Sequence, residues 1–113
     1  MDDARVWTAT HRFARIAARK ARLVIDLIRG RPCNEAMDQL RFNPRRSARM
    51  IEDVLKSAMV NADEKEADMP RLYVKDARID GGPYYRRWRP KDRGRAHPIA
   101  KQTSHIVITV AEA

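Results

Sequence analysis

Cysteine is nearly absent: Cys33 is the only one in 113 residues, which excludes an internal disulfide and any thiolate zinc cluster. Long apolar runs are missing too. The longest, such as Leu23 to Ile25 and Ile106 to Val110, span about three to five residues, far below the ~20 a bilayer-crossing helix needs. The opening "MDDARVW" is acidic and no apolar stretch follows it, so no secretory signal is legible. Glycine is scarce, and its only pair, Gly81-Gly82, carries no phosphate-loop or dinucleotide fingerprint. The histidines are His11, His97 and His105. Ser104 and His105 are neighbours in a strand-like run and must point to opposite faces, so they cannot pair as nucleophile and base. His105 reads as a hydrogen-bonding residue at a strand end, and Cys33 as a small buried side chain. These absences leave a soluble, intracellular chain with no catalytic constellation, no metal and no cofactor expected.

What the chain has is positive charge. It carries 24 Lys and Arg against 15 Asp and Glu, a net +9. Self-repulsion of that size opposes compaction unless the partner is a polyanion. Of the 24 cations, 18 are Arg, whose planar guanidinium binds phosphate bidentately and stacks on bases; lysine would serve equally well for solubility. The balance favours nucleic acid, with an anionic membrane surface or an acidic protein as the alternatives.

At about the common domain size, residues 1–113 read as one domain. Arg5 to His11 alternates, Val6, Thr8 and Thr10 against Trp7 and Ala9, and predicts a strand. From Phe13 the period becomes helical: Phe13, Ile16, Lys20, Leu23, Val24, Leu27 and Ile28, with Gly30 as the stop and Arg15, Arg19, Arg22 and Arg29 on the opposite face. Pro32 to Leu40 predicts a short second helix. Asn43 as cap and Pro44 at the first position open a third, to about Asp63, with a stripe of Ala48, Ile51, Leu55, Ala58, Met59 and Ala62. The acidic group Asp63, Glu64, Glu66 and Asp68 reads as solvated loop. "RLYVKDARID" has strand composition with broken alternation, so a bulge is expected; "HIVITV" is a closing strand.

Between those strands lies "YYRRWRPKDRGRAH", Tyr84 to His97. Residues 86–101 hold Arg86, Arg87, Arg89, Lys91, Arg93, Arg95 and Lys101 against Asp92 alone, six of the nine net charges. Asp92, Arg93 and Gly94 are turn chemistry. A hairpin turning there would project beyond any core: Pro83 to Lys91 reaches roughly 30 Å at about 3.3 Å per residue. An isolated ribbon that long is marginal in water and needs a partner. Tyr84, Tyr85 and Trp88, spaced among arginines, suit stacking on exposed bases. In helix one, Arg15, Arg19, Lys20 and Arg22 fall within about two turns and could meet several phosphates.

Five blocks, "RKARLVIDLIRG", "VLKSAMVNA", "LYVKDARIDGGP", "RPKDRGRA" and "TSHIVITV", stand in the order seen in the bacterial form of the large-subunit ribosomal protein twenty-two family, which the chain resembles from about Arg5 to Glu112. The resemblance implies an α+β fold, a three-stranded antiparallel sheet packed on three helices, with a long projecting β-hairpin at about 82–105. It implies a non-catalytic, cytoplasmic constituent of the large ribosomal subunit that binds 23S rRNA and supports assembly. Neighbouring large-subunit proteins would be partners, with no membrane and as a monomer within the ribosome. The hairpin tip, Tyr84, Tyr85, Arg86, Arg87, Trp88, Arg89, Pro90, Lys91, Asp92, Arg93 and Gly94, would line the exit tunnel and meet the nascent polypeptide. Positions 85–87 match the family segment where changes affect macrolide response. Arg15, Arg19, Lys20, Arg22, Arg86, Arg87, Arg89, Lys91, Arg93, Arg95 and Lys101 would contact rRNA.

Three departures stand out. Ala17-Ala18 replaces the family's Ser-Pro before Arg-Lys, which predicts an earlier helix start. Gly81 replaces an acidic residue, which predicts a looser hairpin base. Tyr84, Tyr85 and Trp88 are bulkier than common family residues, which predicts a narrower or differently stacked tunnel wall. The rivals are a free-standing DNA- or mRNA-binding regulator of the same fold, which would not sediment with large subunits, and an enzyme, for which candidate residues are lacking.

Overall fold

The closing strand is the centre of the structure, a computed structural model that describes residues 5–82, 85–91, 95–101 and 103–113, with 85–91 and 95–101 described by their backbone. Strands β1 (Val6–Ala14) and β2 (Leu72–Gly81) pair antiparallel with the two edges of β5 (Ser104–Glu112), giving the order β1-β5-β2. Ile106, Ile108 and Val110 meet Ile79, Ala77 and Val74 across one ladder, and Ile108 and Val110 meet Ala9 and Trp7 across the other. Together they make the apolar face on which the helices lie. The expected bulge in β2 is present: the register slips between Val74 and Asp76, so the extra residue Lys75 resets the alternation.

Helix α3 (Arg46–Glu64) crosses β1 and β5 with the predicted Ala48, Ile51, Leu55, Ala58 and Ala62 buried and Met59 packed at the margin, and with Ser47 and Val54, which the stripe does not include, buried beside them. Its start differs from the sequence expectation. Pro44 precedes the helix, Arg45 is the cap position, and Asn43 Oδ1 accepts the Arg45 N–H at 3.0 Å in a local turn. Helix α2 (Cys33–Phe42) packs on α3, and α1 (Ala18–Ile25) lies over β2.

Helix one is where periodicity misled. The strand runs on to Ala14 through a register shift after His11, with Phe13 at φ 58°. Phe13 therefore belongs to β1, because its N–H finds His105 Nδ1 at 3.1 Å and its ring meets the imidazole edge-on at 5.0 Å. The helix begins at Ala18, not earlier, and its buried residues are Ala21, Val24 and Ile25, followed by Ile28 in the next turn. Leu23 and Leu27 are half or more exposed. The helix ends before Gly30, whose φ of 81° turns residues 30–32 onto the free edge of β2: Gly30 donates to Val74 and Val74 to Arg31.

Beyond Gly81 and Ser104 the same two chain segments continue as a separate ladder, β3 (Tyr85–Lys91) with β4 (Arg95–Lys101). Gly82 N donates to Thr103 O at 2.9 Å at the junction. The long axis is 63 Å and the radius of gyration 17.2 Å, against about 13 Å for a compact chain of this length. The predicted α+β body with a projecting hairpin is the fold observed.

Candidate nucleic-acid interface

The ribbon is cationic by register as well as by composition. Lys91 lies directly across from Arg95, and Arg86, Arg87 and Arg89 face Ala100, Ile99 and His97. No acidic residue lies in either ladder strand to offset them, and like charges placed opposite one another destabilise a strand pair. Pro90 and Pro98 are admissible because each strand of a two-stranded ribbon has an open edge. Of the expected tip, Tyr85, Arg86, Arg87, Trp88, Arg89, Pro90 and Lys91 form β3. Tyr84, Asp92, Arg93 and Gly94 lie outside the described residues. Arg95 opens β4 and Lys101 closes it opposite Tyr85.

The cations of helix one divide. Arg15 precedes α1, while Arg19 and Lys20 stand in its first turn; all three are exposed, and their side chains have no protein partner among the described residues. Arg22 is already engaged: its Nη2 donates to Ile79 O at 2.9 Å, fastening α1 to the edge of β2. Arg29 donates to Ala77 O at 2.5 and 3.1 Å and pairs with Asp26 at 3.0 Å. It belongs to that seam rather than to an open cationic face.

Arg15 and Lys20 open onto a cleft of about 520 Å³ between the starts of α1 and α3, and the other cations lining it are Arg45 and Arg46. Those two are not among the contacts expected from the sequence, which takes Asn43 and Pro44 there only as a helix start. Two arginines at a helix start, where the dipole disfavours positive charge, were the available signal. The cleft adjoins the base of the ribbon, since Ser104 Oγ donates to Ile16 O at 2.7 Å.

The residues considered for catalysis have structural roles. Ser104 is fully buried in that bond, His105 accepts from Phe13, and the two point to opposite faces as strand geometry requires. Cys33 is buried, and burial pushes its thiol up to about 11, the reverse of an activated thiolate. Asp63, Glu64, Glu66 and Asp68 are exposed as expected, but Asp63 and Glu64 close the last turn of α3 and only Glu66 and Asp68 lie in the loop beyond it.

An α+β body, an appended two-stranded ribbon and a group of arginines without protein partners are the build of a structural protein of a nucleoprotein particle. The comparisons make that specific. The family model described as Ribosomal protein L22p/L17e matches residues 9–111. The large ribosomal subunit protein uL22 of Lacticaseibacillus casei is 52% identical over 106 residues, 93% of this chain and 91% of its own. Those of Ligilactobacillus salivarius and Geobacter sulfurreducens are 51% and 46% identical, over 91% and 88% of this chain and 90% and 91% of theirs. The chain belongs to the ribosomal protein L22p/L17e family and is a structural constituent of the large ribosomal subunit, not an enzyme. Among the described residues, no helix is long and apolar enough to cross a membrane.

Proposed function

We propose that this single domain binds 23S rRNA, supports assembly of the large subunit, and lays the tip of its hairpin along the nascent-peptide exit tunnel. The observation that carries the reading is the ribbon: a separate ladder with Lys91 opposite Arg95, on a molecule 63 Å long. Such a ribbon has no core of its own, and its repulsion is relieved among phosphates. Arg86, Arg87, Arg89, Lys91, Arg93, Arg95 and Lys101 meet the RNA backbone, joined from the body by Arg15, Arg19 and Lys20. Arg22 adds only the donors that Ile79 leaves over. Tyr84, Tyr85 and Trp88 stack on bases or face the lumen, where the growing polypeptide passes, and neighbouring large-subunit proteins pack against the single copy of the chain.

Binding of the full chain to a 23S rRNA fragment, measured across a salt series, tests the mechanism. Replacing Arg86, Arg87 and Arg89 together by Ala should weaken binding and flatten the salt slope by about one unit per lost contact. Salt-insensitive affinity overturns the phosphate mechanism. A ribosome density map with Tyr84, Tyr85 and Trp88 turned away from the lumen overturns the tunnel contact.

A further inference from the structure

Ser47 is a nearly buried polar residue whose hydroxyl is left free to take a partner. It is 5% exposed at the start of α3, beside the apolar stripe. Unlike the hydroxyl of Ser104, its hydroxyl has no hydrogen-bond partner among the described residues. Among the described residues the only fully buried side-chain polar atom without a partner is Gln39 Oε1, so the Ser47 Oγ keeps an opening and is free to meet a ligand there. Ser47 lines the cleft that also holds Arg15, Lys20, Arg45 and Arg46.

Three further features converge there. Both helices begin at the cleft without a cap, since neither Ala17 nor Arg45 makes a side-chain hydrogen bond and neither first turn contains an acid. Their leading N–H groups are open, and the two helix dipoles place partial positive charge where four cations already gather. Among the described residues no Asp or Glu lines the cleft and the four cationic side chains have no protein partner, unlike Arg22, Arg29 and Arg49. One oxyanion would satisfy the hydroxyl, the open N–H groups and the guanidinium forks together. Leu23, 58% exposed, forms part of the wall, and an apolar surface beside phosphate donors suits the sugar of a nucleotide chain better than a bare ion.

We propose that this cleft is a phosphodiester clamp, in which Arg15, Lys20, Arg45, Arg46 and the Ser47 hydroxyl hold a backbone phosphate of RNA. The clamp rests on the rRNA-binding reading above and adds to it an anchor at the base of the ribbon, separate from the tip.

The test uses the full chain in two arms. In the first, the amide resonances of Arg46 and Ser47 are followed as inorganic phosphate or a short oligouridylate is added. The oligonucleotide should move them at concentrations about tenfold or more below those phosphate needs, since several cations meet a polyanion at once. A response to inorganic phosphate that the oligonucleotide neither matches nor displaces marks a free-phosphate site and overturns the clamp. In the second, Arg45→Gln with Arg46→Gln, and separately Ser47→Ala, are measured against a 23S rRNA fragment beside the Arg86, Arg87, Arg89→Ala chain. The paired arginine variant should bind about tenfold more weakly with a salt slope flatter by about one to two units. Ser47→Ala should bind a few-fold more weakly with its thermal midpoint undiminished, because the hydroxyl has no partner among the described residues. Wild-type binding by the cleft variants, with the ribbon variant weakened, refutes the clamp and leaves rRNA binding standing. Wild-type binding by all of them refutes both.

Discussion

The two ends of helix α1 use the same kind of side chain for opposite purposes. From its last turn into the segment that follows, Arg22 and Arg29 reach Ile79 and Ala77 carbonyls, and Arg31 reaches Leu27 O at 2.7 Å and Glu35 at 2.9 Å. At its start, the side chains of Arg15, Arg19 and Lys20 reach nothing in the protein among the described residues. The difference follows from what each end offers. β2 is an edge strand, so alternate carbonyls such as those of Ala77 and Ile79 face away from β5 and need donors. A helix start presents N–H groups instead, which repel cations. Arginine count is therefore no measure of binding capacity: part of the positive charge closes the fold's own edge, and part, at the helix starts, reaches nothing in the protein among the described residues.

Breaking the engaged set should damage the fold, most of all at Arg49. Its Nη2 donates to Leu40, Arg41 and Asn43 carbonyls at 2.6 to 2.9 Å, closing the C-terminal end of α2, and Nη1 meets Glu52 at 2.8 Å. Arg49→Ala should lower stability by about 2 kcal/mol, the scale for charged hydrogen bonds lost from a helix end. Arg49→Lys should recover less than half, since an ammonium lacks the planar fork. An unmoved urea midpoint would place Arg49 with the unengaged cations.

The junction between body and ribbon comes next. A Cβ on Gly82 would stand 2.5 Å from Thr103 Oγ1 and 3.2 Å from its backbone, whereas one on Gly81 meets nothing within 4 Å. Gly82→Ala should cost about 1 to 2 kcal/mol; Gly81→Ala should stay within about 0.5 kcal/mol in denaturant titration. At the base itself, Gly82 N donates to Thr103 O at 2.9 Å.

The start of α2 contrasts with those of α1 and α3. Cys33 is its first residue, yet burial overrides the helix end and holds the thiol neutral up to about 11. In the unfolded chain the thiol ionises near 9.0, so its stabilising share is complete below that pH and is lost as pH rises toward 11. The stability difference between wild type and Cys33→Ala should shrink across that window, and native Cys33 should react with iodoacetamide at neutral pH far more slowly than the unfolded chain. Fast native labelling would contradict the burial.

How far the sequence could be read depends on how local the deciding contact is. The α3 stripe, the Lys75 bulge and the ribbon were legible because spacing and charge within about ten residues determine them. Phe13 was not: its helical spacing to Ile16 and Lys20 is a coincidence, overridden by an imidazole 92 positions away. Alanine hid the true face of α1, since fully buried Ala21 carries too little hydrophobic signal to outweigh exposed Leu23 and Leu27. The division among arginines was invisible because its arbiters are backbone carbonyls. Arg45 and Arg46 gain meaning only when folding sets the start of α3 beside that of α1.

The smallest effect is the sharpest probe of that division. A cation at the first helical position opposes the dipole, and α3 has no acid in its first turn to compensate. Arg46→Glu should therefore raise stability by about 0.3 to 1 kcal/mol, a rise of a few degrees in Tm by calorimetry. Arg22→Glu, an equal charge change one helix away, should lower it by losing the bond to Ile79. Opposite signs from equal charge changes would mean that the start of α3 retains a locally unfavourable residue, the pattern expected where a surface is shaped for a partner rather than for its own stability. Loss of stability in both would mean that Arg46 serves the fold, and the distinction between the two ends of α1 would not extend to α3.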